Sequence, residues 1–259
     1  MGTKRGLMVW GYEFEAFQNW KLSIPVCTNI DSHCHAVLTG GSGSGKSQAV
    51  LFLIGKRLQA DPETILTVCD FKNSEDFRFL KDYPQYFSGD SCYDGIMDYY
   101  QKFSEVRQSG KTGKRNLLIC DEYPALLNYL QMQDKINKTK RSNEILGAVS
   151  EILMMGRGLR YGCMIVTQRC DSTLFSNGSR DNFMAVIALG RLSKEQKMML
   201  FSGEEVPNRA FKPGEGLILL DGREMNEIKF PLIDDVDDWK DHIRTLLMRS
   251  GGGHADGEA

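Results

Sequence analysis

Two rhythms of apolar and polar residues alternate along this chain. Unbroken apolar runs of strand length occupy residues 35–39, 65–69, 117–120, 163–167 and 185–189. Between them apolar residues recur at three- and four-residue steps, the spacing of one helical face. Ile96, Tyr100, Phe103 and Val106 share such a face, behind Ser91 and Asp94, which resemble a capping box. Ile145, Val149, Ile152 and Leu153 form a second. Strands that are apolar throughout and alternate with helices predict an α/β fold with a mostly parallel sheet covered on both faces.

Toward the C-terminus the pattern changes. Residues 216–220 and 227–230 flank Asp221-Gly222, which predicts a β-hairpin with a type I′ turn. Asp234 would then cap a helix carrying Val236, Trp239, Ile243, Leu246 and Leu247. That helix is expected to end before Gly251, leaving 251–259 as a disordered tail. Residues 131–143, with Lys135, Lys138, Lys140 and Arg141 around Asp134, read as the most linker-like stretch. The expected organisation is lead-in strands over 1–34, one domain over 35–250, and the tail.

Composition narrows the class. Of 259 residues 41% are hydrophobic and 25% charged, which excludes a disordered chain or a coiled coil. No apolar run approaches the roughly 20 residues of a bilayer span. Lys4 and Arg5 precede no apolar run of the kind a secretory signal needs, and Gly6 stands where a myristoylation site wants Ser or Thr. Lys plus Arg number 32 against 34 Asp plus Glu, a net charge of −2. Such a balance excludes coating nucleic acid by bulk charge, though it permits a local basic loop. The seven cysteines are odd in number and form no C-x-x-C pair, pointing to a reducing, cytoplasmic setting.

The chemistry concentrates in two places. Gly40-Gly41-Ser42-Gly43-Ser44-Gly45-Lys46-Ser47 fits the G-x-x-x-x-G-K-[ST] phosphate loop, with Gln48 continuing into a helix. Its glycines let successive backbone N–H groups turn inward around phosphates. Lys46 would reach the β/γ-phosphates of ATP, and Ser47 would ligate Mg²⁺. The alternative is a Gly/Ser linker, against which stand the apolar strand before the loop and the helix behind it. The run 117–120 ends in Asp121 and Glu122, at the strand edge where parallel sheets place ligands. Asp121 would hold Mg²⁺ and Glu122 would orient the attacking water. Alternatively, the two acids merely cap the following helix.

These blocks resemble the FtsK/SpoIIIE-like motors of the FtsK–HerA group. The resemblance rests on His35–Gly40 leading into the loop, on Thr67-Val68-Cys69-Asp70-Phe71-Lys72, on Ile119-Cys120-Asp121-Glu122-Tyr123-Pro124-Ala125-Leu126, and on the run from Gly156 to Thr167-Gln168-Arg169. Residues 182–191 and Gly214-Glu215-Gly216 add a weaker block. Phe71 replaces the family's proline, and Leu159 falls at one position where its arginine pattern does not align. The resemblance spans about residues 30–232. It implies a RecA-like P-loop NTPase of the additional-strand, catalytic-glutamate type, hydrolysing ATP with Mg²⁺ in a ring, expected to be hexameric.

By the same resemblance Gln168 would sense the γ-phosphate, and Arg157 or Arg160, with Arg180 a third candidate, would complete a neighbour's site. The implied activity is translocation of double-stranded DNA, with a mobile-element or conjugation coupling role. The alternatives are a protein-translocating, type VII-secretion-like ATPase and a nucleotide-gated adaptor with little turnover. Only 39 residues precede Gly40, so the resemblance implies a bare motor, loaded or membrane-attached through a partner.

Weaker features stay open. Cys27, His33, Cys34 and His35 lack the paired spacing of a zinc site. Residues 131–143 would face a pore or form a solvated surface. Trp10, Tyr12, Phe14, Phe17 and Trp20 would line an adenine pocket or cover a sheet edge, the second being the expected reading. Lys111, Lys114 and Arg115 read as a solvated turn.

Overall fold

The structure is a computed structural model and describes residues 6–170 and 179–251. Its elements run β1 (Leu7–Glu13), α1 (Phe14–Trp20), β2 (Pro25–Asn29), β3 (His35–Gly40), α2 (Lys46–Ala60), β4 (Ile65–Asp70), β5 (Tyr86–Ser88), α3 (Cys92–Ser109), β6 (Asn116–Asp121), α4 (Tyr123–Asn137), α5 (Arg141–Leu159), β7 (Tyr161–Thr167), β8 (Ala185–Leu189), α6 (Lys194–Leu200), β9 (Glu215–Leu220), β10 (Asn226–Lys229) and α7 (Val236–Gly251). Every strand predicted from an apolar run is present.

Ten strands form one sheet in the order β2-β1-β10-β9-β8-β3-β7-β6-β4-β5. From β8 to β5 all pairings are parallel, and from β8 to β2 all are antiparallel. Strand β7 lies between β3 and β6, which is the additional-strand arrangement. The strands are apolar throughout because each buries both faces. Ala36, Leu38, Leu66, Val68, Leu117, Ile119, Met164 and Val166 join one core beneath α2 and α7. The intervening Val37, Cys69, Leu118, Cys120, Cys163 and Ile165 join another beneath α3, α4 and α5. This period-two division follows from the pleat. Each fully buried Leu, Ile or Val contributes about 1.5–3 kcal/mol.

Local details depart from the sequence reading. Ser91 precedes α3, but its hydroxyl bonds the backbone of Ser88 and makes no capping box with Asp94. The β9–β10 connection is a five-residue loop in which Gly222 alone takes positive φ, so the type I′ turn is not formed. Helix α7 is capped by Asp235, which accepts from the Asp238 N–H at 2.9 Å, and it runs through Gly251. Residues 252–259, expected as a disordered tail, lie outside the described residues.

Residues 131–143 are no linker. The end of α4 and the start of α5 meet there around Asp134, which accepts from Thr139, from the N–H groups of Arg141 and Ser142, and from the Ser142 hydroxyl. Arg115 is no solvated turn residue either. Its guanidinium grips both Asp31 oxygens at 2.6 and 2.7 Å and Asp61 at 3.0 Å, bracing the edge where the parallel strands begin. Trp10 is buried and donates to Thr28, Tyr12 packs on Phe52, and Phe14 lies under Arg209. Trp20 stays exposed.

Where β9 meets β8 the backbones approach closely. A Cβ on Gly216 would stand 2.0 Å from the Ala188 carbonyl oxygen. Gly147, on the exposed face of α5, has nothing within 4 Å. Gly216→Ala is therefore expected to lower unfolding free energy by about 2–3 kcal/mol. Gly147→Ala should raise it by about 0.5–1 kcal/mol, and denaturant midpoints of the two variants check both signs.

Candidate active site

The site lies at the C-terminal edge of the parallel strands. Strand β3 ends at Gly40, and Gly41-Ser42-Gly43-Ser44-Gly45 carry the chain into α2 at Lys46. Gly45 makes this turn possible: its φ is +92°, and a Cβ there would meet the Gly214 N at 2.7 Å. The loop is pinned by Gly214 N–H donating to the Ser44 carbonyl at 2.8 Å. The Ser44 hydroxyl is buried without a partner, while the Ser47 hydroxyl is exposed. Gln48 faces elsewhere and accepts from the Ile233 N–H.

Lys46 Nζ donates to the Gly40 carbonyl at 2.7 Å and to Gly41 at 3.4 Å, curling over the loop. Burial draws its pKa down, and the nearby Glu122 and Asp121 charges counter that. Strand β6 presents Asp121 as register partner of Asp70 on β4. Asp70 Oδ2 accepts from Ser74 and from the Tyr86 hydroxyl, while Oδ1 is buried and unpartnered. Burial first, then the charges of Glu122 and Asp70, push the Asp121 carboxyl up to about 7.

Glu122 opens α4 in the left-handed region, with φ +54° and ψ +41°. Such a conformation in a residue with a side chain costs of order 1–3 kcal/mol and recurs at functional sites. Its side chain is mostly buried, and Oε1 receives two donors, Lys72 Nζ at 2.9 Å and Gln168 Nε2 at 3.0 Å. Gln168 follows β7, and its carbonyl receives the Thr39 hydroxyl at 3.5 Å, tying it to the loop strand. The structure thus gathers Lys46, Asp121, Glu122 and Gln168 at one edge.

Arg157 and Arg160 lie elsewhere. They close α5 just before β7 begins, at the opposite edge of the sheet, a strand length or about 20 Å away. Arg160 is the left-handed C-cap of α5, and its Nη1 donates to the Gly113 carbonyl. Arg157 is exposed with no acid paired to it among the described residues. Arg180 falls in the turn Ser179–Asn182, where the side chain lies outside the described part. His35 also sits at that edge, buried, with both ring nitrogens unpartnered; burial and then the Arg157 charge hold its pKa down at about 4.

Several site residues escaped the sequence reading. Lys72 was visible only as the end of the Asp70-Phe71-Lys72 block, with nothing to link it to Glu122. Arg169, Arg191 and Lys194 line an open cleft of about 540 Å³ beside Gly41 and Gln168.

The residues present fit a nucleotide with its cation. The loop turns through Gly43 and Gly45, both at positive φ, into a lysine, the buried Ser44 hydroxyl lacks a partner, and Ser47 and Asp121 supply the hard oxygen ligands Mg²⁺ prefers. Among the described residues no three or more His, Cys, Asp or Glu side chains converge as a metal site, the Cys27–His33–Cys34–His35 neighbourhood included. A cation here would therefore need phosphate oxygens to complete its coordination.

The Asp121 carboxyl has a measurable consequence. An unfolded aspartate ionises near 3.9, so the folded chain holds the extra proton between about pH 4 and 7 and loses stability as pH rises through that window. Asp121→Asn is expected to raise the melting temperature at pH 8, by the equivalent of about 2–4 kcal/mol, and to leave it nearly unchanged at pH 4. Thermal melts at the two pH values check this.

No family model matches the chain. It is 25% identical over 246 residues to the FtsK domain-containing protein YdcQ of Bacillus subtilis (strain 168). That match covers 87% of this chain and 49% of the other, so the chain spans about half the length of the curated relative it matches. In fold it is similar to the pCW3 conjugation coupling protein TcpA, solved as a monomer with ATPγS, with a TM-score of 0.70 at 19% identity over 95% of this chain and 71% of that one. The second and third ATPases of EssC from Geobacillus thermodenitrificans give 0.67 at 13% identity, over 96% and 50%. The cytoplasmic domain of the type VII secretion ATPase EccC from Thermomonospora curvata gives 0.66 at 16%, over 95% and 31%. With the strand order and the gathered site, these likenesses show a P-loop ATPase fold, and the chain is similar over most of its length to an FtsK domain-containing protein.

Proposed function

We propose that the protein is an ATP-driven motor of the FtsK type, working as a ring, a hexamer, that moves double-stranded DNA. The observation that carries the hydrolytic part is Glu122, kept in a left-handed conformation and held by Lys72 and Gln168 beside the phosphate loop. A mere nucleotide binder has no use for a strained, buried second carboxylate.

In this reading the loop N–H groups and Lys46 hold the ATP phosphates, and Ser47 and Asp121 hold Mg²⁺. Bound there, the cation would neutralise charge on the phosphoryl oxygens. Glu122 orients water through its unpaired oxygen, and Gln168 reports on the phosphoryl group. No arginine of the same chain's far edge reaches the site, so the missing positive charge would come from a neighbouring copy. Arg157 suits that task because it is exposed and has no acid paired to it among the described residues, whereas Arg160 is engaged as a helix cap.

The DNA assignment draws on the likeness to a conjugation coupling protein and on the basic side chains of Arg169, Arg191 and Lys194 that line the cleft. Protein translocation is the second reading, supported by the comparable likeness to EssC and EccC. No helix among the described residues is long and apolar enough to cross a membrane. The seven free cysteines suit a reducing compartment, and we place the motor, taken as residues 35–250 with 1–34 as its added sheet edge, in the cytoplasm.

The test is steady-state ATP hydrolysis at high protein concentration, with and without linear duplex DNA. Stimulation that disappears in Lys46→Ala is expected, and hydrolysis indifferent to duplex DNA would favour the protein-directed reading. In the same assay Arg157→Ala should lower kcat at least about 10³-fold, the effect of an arginine supplied in trans. Arg160→Gly should stay within about threefold of the parent, since glycine suits a left-handed helix end.

A further inference from the structure

The clamp on Glu122 contains a residue for which neither the sequence motifs nor the related proteins supply a role. Lys72 reaches it through the turn after β4. There Asp70 Oδ2 accepts the Ser74 N–H at 2.7 Å, the Asn73 N–H bonds the Asp70 carbonyl, and Asn73 takes a φ of +51°. Phe71 is anchored against Tyr129 of α4, with ring centroids 5.4 Å apart. Asp70 and Asp121 are register partners, and the turn that follows β4 carries Lys72, two residues on, to Glu122, the residue after Asp121.

Three features set Lys72 apart from a surface cation. Both donors to Glu122 use the same oxygen, Oε1, so that oxygen is anchored while Oε2 has no donor among the described residues. Three acids, Asp70, Asp121 and Glu122, crowd this edge, and Lys46 and Lys72 are the two cations that act on Asp121. Lys46 is already engaged with the loop carbonyls and would be drawn to phosphates. A Gln168 amide that swings toward a phosphoryl group would also give up its bond to Oε1. Lys72 would then be the one donor left on Glu122.

We propose that Lys72 is a positioning residue for hydrolysis: by holding Oε1 of Glu122 it keeps Oε2 aimed at the water while Gln168 changes partners. This rests on the hydrolytic reading given above. The contact that carries this role is the one with Glu122, so its effect belongs in kcat and not in nucleotide affinity. Its side chain is 47% exposed, so its removal spares the core.

The experiment compares Lys72→Met, which removes the charge but keeps the length, with Lys72→Arg, which restores it. Lys72→Met is expected to lower kcat about 10–100-fold. KM for ATP and the Kd for a fluorescent non-hydrolysable ATP analogue should stay within about threefold, and Lys72→Arg should recover most of the loss. In a Glu122→Gln background, Lys72→Met should cause no further loss. An unchanged or raised kcat, a loss that appears in Kd, or additive losses would overturn the proposal.

A readout without turnover uses the nucleotide-free chain, where the melting-temperature shifts of Lys72→Met and Glu122→Gln should be non-additive in the double variant. Additive shifts would mean that the two side chains are not coupled, whatever the ATPase data show. A parent protein that hydrolyses no ATP would count against the hydrolytic reading, and the melting cycle would still decide the Lys72–Glu122 coupling. A parent that turns over while Lys72→Met is indifferent would count against the positioning role alone.

Discussion

Like charges forced together by strand pairing govern the working edge of this molecule. Asp70 and Asp121 stand side by side because β4 and β6 are in parallel register, and Glu122 follows Asp121 at once. Burial itself raises the Asp70 carboxyl, and burial followed by the charges of Glu122 and Asp70 drives the Asp121 carboxyl up to about 7. Two lysines answer, Lys46 from the phosphate loop and Lys72 from the turn after β4. Fixed acids short of positive charge, beside the phosphate loop and its lysine, form a place where a phosphate-bound cation is welcome.

The same sheet separates this edge from a second cluster of charge. At the strands' starting edge Arg115 spans Asp31 and Asp61, Arg57 is buried with its guanidinium pKa drawn down to about 10, chiefly by burial, and His35 is held neutral. Gly156 lies against His35, where a Cβ would stand 3.1 Å from its Cε1, so the end of α5 seats on the first residue of the phosphate-loop strand. A rigid parallel strand thus joins the two edges. In the ring proposed above, one copy's starting edge would meet the next copy's acids, and Arg157 would supply what the acids and phosphates lack.

Much of this was legible in the sequence because it depends on short-range pattern. The five long parallel strands bury both faces, so their apolar runs stand out; the phosphate loop and the Asp121-Glu122 pair follow at fixed offsets from them. Strands β2 and β5 are the outermost strands of the sheet, buried at alternate residues or only partly, and leave no such run. Caps slipped by one residue, as at Asp235, because adjacent aspartates are equivalent until the helix axis is set. Polar composition misled at 131–143, where Asp134 gathers donors from the next helix into a tight helix–helix turn. The Lys72–Glu122 contact joins residues 50 positions apart, and Arg115 finds Asp31 and Asp61 across the fold. Such pairings depend on strand order, which periodicity does not reveal.

The central claim is that Glu122 orients water for ATP cleavage at the edge of β6. The most direct measurement loads Glu122→Gln with radiolabelled ATP and follows both retention and cleavage. The account predicts that ATP is bound near parent affinity and stays intact, with cleavage slowed at least about 100-fold. Cleavage at a rate near that of the parent would contradict it and would leave the strained, doubly held carboxylate a structural feature of the helix start.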